Sequence, residues 1–290
     1  MPGLLFVGTE FSFYFTMDSG ETWTEMNAGL PPISVKDMAI QERENDIVLA
    51  TFGRGFYILD DYTPLREMAR NPDIRERDAH IFPVADALMY IPARGKNRQG
   101  SSFYKSENPE FGATFTYYLK EVPQTLKQER REEEKALFEN REPIPQLSRD
   151  QLRKEEAEED PYLVFAIRDE SGEGIRKLYK KASAGLSRIT WDLRYASSDP
   201  VSASVPRRGD TSSGDGVSSS EPGLLIMPGT YSMELYMVAR GEVTGLVDPV
   251  TFQTRLLSHA TLPVKDHEGL VAFQRAVDCF VHAVCSRIER

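Results

Sequence analysis

Apolar and polar residues alternate at every second position in many short segments along this chain, and apolar residues spaced three and four apart enter near its end. A period of two puts successive side chains on opposite faces of an extended strand. Residues 3–9, 11–17 and 22–25 read as three strands separated by glycine and polar turns, and 35–40, 47–51 and 56–60 read as three more. The alternation returns at Phe115, Tyr117 and Leu119, at Leu163, Phe165 and Ile167, and at Ile189, Trp191 and Leu193. It recurs at Tyr231, Met233, Leu235 and Met237, then at Val250, Phe252 and Thr254. Near the end, Leu270, Phe273, Val277, Phe280, Val284 and Ile288 fall three and four apart. That spacing predicts one amphipathic helix over 263–290, with Asp266 as its N-cap. The fold class expected is mainly β.

The first two groups of strands repeat one another. Val7-Gly8-Thr9 matches Leu49-Ala50-Thr51, and Tyr14 to Asp18 matches Phe56 to Asp60, both at an offset of 42 (49 − 7 and 60 − 18). Periods of about 40–45 residues with several short strands each are those of β-propeller blades. Thr16-Met17-Asp18-Ser19-Gly20-Glu21-Thr22-Trp23 follows the first copy and fits S/T-x-D-x-G-x-T-W. The second copy continues as Asp60-Asp61-Tyr62-Thr63-Pro64 and lacks both the glycine and the tryptophan. Residues 1–62 therefore read as the last one and a half blades of a propeller, and a ring needs at least about four. The chain is expected to be a piece of a longer parent whose missing blades are its first partner.

Beyond the repeats, 63–112 read as a connector with one strand pair around 80–91. Residues 113–258 read as an immunoglobulin-like β-sandwich, since short alternating strands with Gly/Pro turns dominate there. Two inserts interrupt it. Residues 121–160 are charge-dense and predict one or two exposed helices over a strand edge. Residues 197–222 are rich in Ser, Gly and Pro and predict a disordered segment.

Composition removes several functions. The net charge of −10 and a pI of about 5.1 argue against a nucleic-acid surface, which needs clustered Lys and Arg. No run reaches the roughly 18 apolar residues of a membrane span. Cys279 and Cys285 stand six apart on the expected helix and point to different faces, so no internal disulfide is expected. The four histidines show no metal-ligand spacing, and no cofactor fingerprint occurs.

Candidate chemistry sits in two places. In the first turn, Asp18 is expected to accept hydrogen bonds from Thr22 and the backbone while Gly20 supplies a left-handed conformation and Trp23 packs beneath, a structural role shared with Thr16. In the second, Arg54 stands between Gly53 and Gly55 at a strand bend, where a planar guanidinium reaches a carboxylate or a sugar hydroxyl. The alternative is that the same arginine bonds carbonyls of adjacent blades and closes the ring. Asp60 and Asp61 are ligand-binding candidates, or else cap exposed amides where the strand ends. Glu10 and Asp37 are further rim residues. No two carboxylates are paired by sequence in the way a glycosidase requires.

These segments resemble a known group. Leu4-Leu5-Phe6-Val7-Gly8-Thr9-Glu10, the Thr16–Trp23 turn (an Asp-box) and Thr51-Phe52-Gly53-Arg54-Gly55-Phe56 look like the end of bacterial BNR/Asp-box propeller proteins, labelled glycosyl hydrolase-like or sortilin-N-terminal-like. Gly185 to Tyr195 and Pro228-Gly229-Thr230-Tyr231 resemble the immunoglobulin-like domain that follows the propeller in that group. Phe52 stands where relatives usually carry a histidine. The resemblance implies an exported parent, extracellular or periplasmic, that is glycan-directed and uses this part as scaffold and accessory domain. The alternative it implies is a sortilin-like propeller that captures peptides or proteins without chemistry. It carries over no catalytic residue.

Overall fold

The computed structural model describes residues 3–27, 29–90, 106, 108–196, 223–257, 266, 269–274, 276, 277 and 280. The protein is mainly β, with curled sheets. It divides into two compact units. The first gathers the described residues of Met1–Pro83, Lys105–Pro109 and Thr116–Lys120, and the second those of Val84–Tyr104, Glu110–Phe115 and Glu121–Arg290. The second insert (197–222), both cysteines and most of the expected terminal helix lie outside the described residues.

Unit 1 opens with two antiparallel three-stranded sheets. Strands β1 (Leu5–Gly8), β2 (Phe13–Thr16) and β3 (Thr24–Glu25) form the first, in that order. Strands β4 (Val35–Gln41), β5 (Asp46–Thr51) and β6 (Phe56–Leu59) form the second. One core lies between them, built from Phe13, Leu30, Ile33, Val35, Ile47 and Leu49 with Phe6, Met38, Tyr57 and Leu59 against it. Phe6 stacks on Phe13 at 5.7 Å between ring centroids. Gly8 faces the same core, where a β-carbon would meet Val35 Cγ1 at 2.7 Å, so only glycine lets β1 approach β4 this closely.

Strand pairing corrects the constant offset. Val7 pairs with Tyr14 in the first sheet and Leu49 with Tyr57 in the second, so the offset is 42 on one strand (49 − 7) and 43 on the next (57 − 14). The extra residue sits in the connecting loop. The Thr9 amide and hydroxyl both donate to the Ser12 carbonyl, at 2.9 Å each, while those of Thr51 donate to Gly55, one residue further on. Phe13-Tyr14-Phe15 therefore corresponds to Phe56-Tyr57-Ile58, and Asp18 to Asp61 rather than Asp60. Thr16 corresponds to Leu59, which has no hydroxyl, and so the second copy cannot build the hydrogen-bonded turn.

In place of that turn the chain enters helix α1 (Thr63–Arg70), with Pro64 in its first turn, and then a 3-10 turn over Pro72–Glu76. Met68, Ile74 and Phe82 form a second small core, joined by Met17 and Tyr118. The expected strand pair of the connector forms as two strands with other partners. Strand β7 (Ala79–Ile81) pairs antiparallel with the second half of β9 (Ala113–Leu119), whereas β8 (Ala87–Met89) pairs parallel with β14 (Glu242–Leu256) in unit 2. Only three residues of each alternate, too few to fix a register.

Unit 2 holds a five-stranded sheet in the order β11-β10-β13-β14-β8, with β10 (Tyr162–Asp169), β11 (Gly174–Lys181) and β13 (Gly229–Ala239). Strand β12 (Gly185–Trp191) lies beside β9. Trp191 is fully buried, and its ring meets those of Tyr231 and Phe252 at 5.8 and 6.2 Å. Phe115 of β9 closes on Phe252 at 5.1 Å, so aromatic rings from both sets of strands share one core. The Trp191 indole donates to the Arg194 carbonyl at 2.9 Å. Leu193 is also buried, and Asp192 faces solvent.

The charged insert forms two helices, α2 (Leu126–Glu139) and α3 (Arg149–Ala157), with no buried residue in either. Capping boxes at Thr125/Gln128 and Ser148/Gln151 start them. Arg130 of α2 ties them together by reaching Glu155 of α3 at 2.7 Å, and it also pairs with Glu134 on its own helix at 2.7 Å. Arg240, in the tight turn between β13 and β14, donates to the Gln124 carbonyl at 2.9 Å and pairs with Glu129 and Glu158. At the chain's end, Asp266 accepts the Gly269 amide at 2.8 Å and residues 269–274 are helical, as the expected N-cap requires. Among the described residues no helix is long and apolar enough to cross a membrane.

One glycine tests this account of unit 2. Gly112 has φ +139°, and a β-carbon there would lie 1.9 Å from the Trp191 carbonyl oxygen. Gly112→Ala should cost at least about 1–3 kcal/mol, read as a Tm drop of several degrees. Gly174→Ala, where a β-carbon meets nothing within 4 Å, serves as the control that leaves Tm unchanged.

Candidate functional site

Two loops that sequence places 42 residues apart come to the same end of their sheets. Thr9–Ser12 joins β1 to β2, and Thr51–Gly55 joins β5 to β6. The start of β4 runs between them: the Val35 amide donates to Thr9 and the Phe52 amide to Ser34, at 2.9 and 3.0 Å. The Ile33 amide donates to Phe11 at 2.9 Å. These backbone bonds assemble a rim from Glu10, Phe11, Lys36, Phe52 and Arg54.

The rim is aromatic and charged. Phe11 and Phe52 are 77% and 72% exposed, unusual for rings of that size. Lys36 Nζ bonds the Glu10 carboxylate at 2.9 Å and lies 5.7 Å from the Phe52 ring centre. The Lys36 ammonium hydrogen bond holds Glu10 below the usual carboxylate range. That is opposite to the upward shift a general acid needs. Arg54 is exposed on the loop tip, between Gly53 at φ +83° and Gly55 at φ +73°, and makes no hydrogen bond or ion pair to a described residue. The bond to blade carbonyls considered as its alternative is therefore absent among the described residues.

Asp60 and Asp61 are at the other end of β6, so the structure does not bring them to Arg54. Asp61 adopts φ +48°, its amide donates to Asp46 at 2.9 Å, and its carboxylate accepts the Thr63 amide at 3.0 Å at the start of α1. Its work is to steer the chain into the helix. Asp37 accepts the adjacent Met38 amide at 2.8 Å.

The hydrogen bonds expected of the Asp18 turn form, whereas Trp23 stays 42% exposed. The Asp18 carboxylate accepts the Thr22 amide at 2.9 and 3.0 Å, the Thr16 hydroxyl at 2.5 Å, and the Thr22 hydroxyl. Thr16 Oγ in turn accepts the Gly20 amide at 3.0 Å. Gly20 sits at φ +102°, and the Trp23 ring lies 3.8 Å from where its β-carbon would be. Hydrogen bonds from the Thr16 and Thr22 hydroxyls hold Asp18 well below the usual carboxylate range. Every acceptor lobe of this carboxylate is engaged within the turn, which makes it a staple between β2 and β3.

Comparison with protein-family models, curated proteins and solved structures gave no match, and the site is read on its own chemistry. The partnership of Glu10, Lys36 and Phe52 was not visible in the sequence. Its one signal is the pair of equivalent threonines, Thr9 and Thr51, each opening a loop of exposed aromatic and charged residues.

The depressed value of Asp18 fixes a pH signature. A carboxylate lowered by folding adds stability that is fully present above its unfolded value, about pH 4, and is lost as pH falls toward the folded value. Asp18→Asn should melt below the parent at neutral pH, and the gap should close as pH drops from about 4 to about 2. A gap of constant size across that range contradicts an ionised Asp18.

Proposed function

We propose that this chain is the terminal part of an exported BNR-type propeller protein directed at glycans, in which these residues are scaffold and accessory domain. The packing of the two repeat sheets against each other supports the propeller reading most directly. The face of Phe6 and Phe13 meets the opposite face of the next sheet, that of Ile47, Leu49, Tyr57 and Leu59. Such front-to-back stacking repeats indefinitely, so further sheets of the parent would continue it around a ring. An immunoglobulin-type reading of 113–258 draws support from the aromatic core around Trp191. The parallel pairing of β8 with β14 is a departure from that topology.

On this reading the rim is the point of ligand contact. Exposed Phe11 and Phe52 offer flat apolar surfaces to the C–H faces of a sugar ring. Arg54, Lys36 and Glu10 offer charged donors and acceptors to its hydroxyls. Binding fits better than hydrolysis, because Glu10 is held ionised by Lys36 and Asp18 is consumed by its own turn. Capture of an apolar peptide is the second reading, favoured by the same exposed rings.

Titration of a neutral and acidic polysaccharide panel and of Phe- and Leu-containing peptides against the folded chain separates the two. Phe52→Ala and Arg54→Ala should each weaken the bound class by about tenfold, about 1.4 kcal/mol, with Tm unchanged. Binding that survives both substitutions removes the rim from the account.

A further inference from the structure

The outer face of the five-stranded sheet in unit 2 carries tyrosines that its core does not use. Leu163, Phe165 and Ile167 of β10 and Met233, Leu235 and Met237 of β13 are buried, so their alternate neighbours face away from that core. Strand register arranges those neighbours in rows. Val164 stands between Tyr179 of β11 and Tyr236 of β13, so the two rings are two strands apart, about 9–10 Å. The row on one side holds Lys181, Tyr162 and Val238, and the row on the other holds Lys177, Ala166 and Glu234. Tyr162 and Tyr179 meet at 6.2 Å between ring centroids, and Tyr179 is 52% exposed. Tyr236 lies beside its partner Gly245, where a β-carbon would be 3.8 Å from the ring. Val164, Ala166 and Gly245 thus keep the floor around the rings low.

Charge selects what such a face can hold. The chain carries a net −10, yet β11 reads Gly-Ile-Arg-Lys-Leu-Tyr-Lys-Lys, with four cations and no acid. Arg176 and Lys180 turn inward and donate to the carbonyls of Tyr195 and Arg188. Lys177 and Lys181 stay on the outer face, one on either side of Tyr179. Lys177 is exposed and makes no hydrogen bond or ion pair to a described residue, and Lys181 has the exposed Asp160 at 2.6 Å. The carboxylate within the rows is already neutralised: Glu234 accepts Arg168 at 3.1 Å and the Tyr236 hydroxyl at 2.7 Å. Lysines on an edge strand such as β11 also discourage pairing with another chain. That role accounts for the cations but not for the exposed ring between them.

We propose that this face binds an anionic polysaccharide, with sugar rings stacked on Tyr179 and Tyr162 and carboxylates or sulfates paired with Lys177 and Lys181. Flat rings meet the C–H faces of sugars, and the two ammonium groups supply the charge that a neutral glycan would leave unused. This site rests on the glycan-directed reading of the chain and gives the accessory domain a ligand class of its own.

Calorimetric titration of the whole chain with polygalacturonate, dextran sulfate and uncharged dextran tests it. The first two separate carboxylate from sulfate as the group recognised. The parent should bind one or both of them about tenfold or more tighter than dextran. Tyr179→Ala should weaken that binding about fivefold to tenfold, and Lys177→Gln about threefold. Circular dichroism confirms folding of each, and Tyr179→Thr, which keeps a strand-forming residue, replaces Tyr179→Ala if that variant is unfolded. Dextran bound as tightly as the charged chains overturns the proposal. So does binding that Lys177→Gln weakens and Tyr179→Ala does not, which is general attraction of a polyanion. Loss on Phe52→Ala, with both unit 2 variants unaffected, puts the polysaccharide at the rim: it overturns this site and keeps the glycan reading. A parent that binds no polysaccharide of either charge overturns both.

Discussion

Gly8 lies so close to β4 that a β-carbon there would meet Val35 at 2.7 Å, and this approach sets the spacing of the two sheets in unit 1. With that spacing, Phe6 and Phe13 reach Ile47 and Leu49 and close a core that excludes water. Burying such side chains is worth about 1.5–3 kcal/mol each, so the contact dominates the energetics of this part of the chain. The same approach lets Val35 bond Thr9, and with Phe52 bonding Ser34 it sets the two loops of the rim on either side of one strand. Core and rim are thus consequences of one close contact.

The rim's chemistry follows from what surrounds it. Lys36 and Glu10 neutralise one another, which leaves Arg54 as the cation on a loop tip whose flanking glycines hold left-handed backbone. Two rings stand in water at the same end. Side chains that cost solvation and satisfy nothing within the described fold are candidates for contact with something outside it. The carboxylates behave in the opposite way. Asp18, Asp61 and Asp169 each accept nearby backbone amides, which is turn construction.

Most strands were legible because alternation is a strong signal wherever one face is buried. The 42-residue repeat was legible too, but its register was not. Val7 against Leu49 and Asp18 against Asp60 agree in sequence, yet a single extra residue in the Thr51–Gly55 loop shifts the second strand and makes Asp61 the counterpart. Sequence comparison at constant spacing cannot see an insertion compensated by chance matches. Strand β11 was missed because Arg176, Lys177, Lys180 and Lys181 mask its alternation. Arg54 was legible from its two glycines. Glu10 and Lys36 were not legible as a pair, since 26 residues separate them and only folding unites them.

The front-to-back register is the central claim, and the alternation of stability along β6 measures it most directly. Serine placed singly at Phe56, Tyr57, Ile58 and Leu59, followed by urea unfolding in dilute solution, reads which side chains face the core. Tyr57→Ser and Leu59→Ser should cost about 2–4 kcal/mol, and Phe56→Ser and Ile58→Ser under about 1 kcal/mol. The reverse alternation would put the second sheet the other way round and contradict the repeat packing. Equal losses at all four positions would contradict it as well.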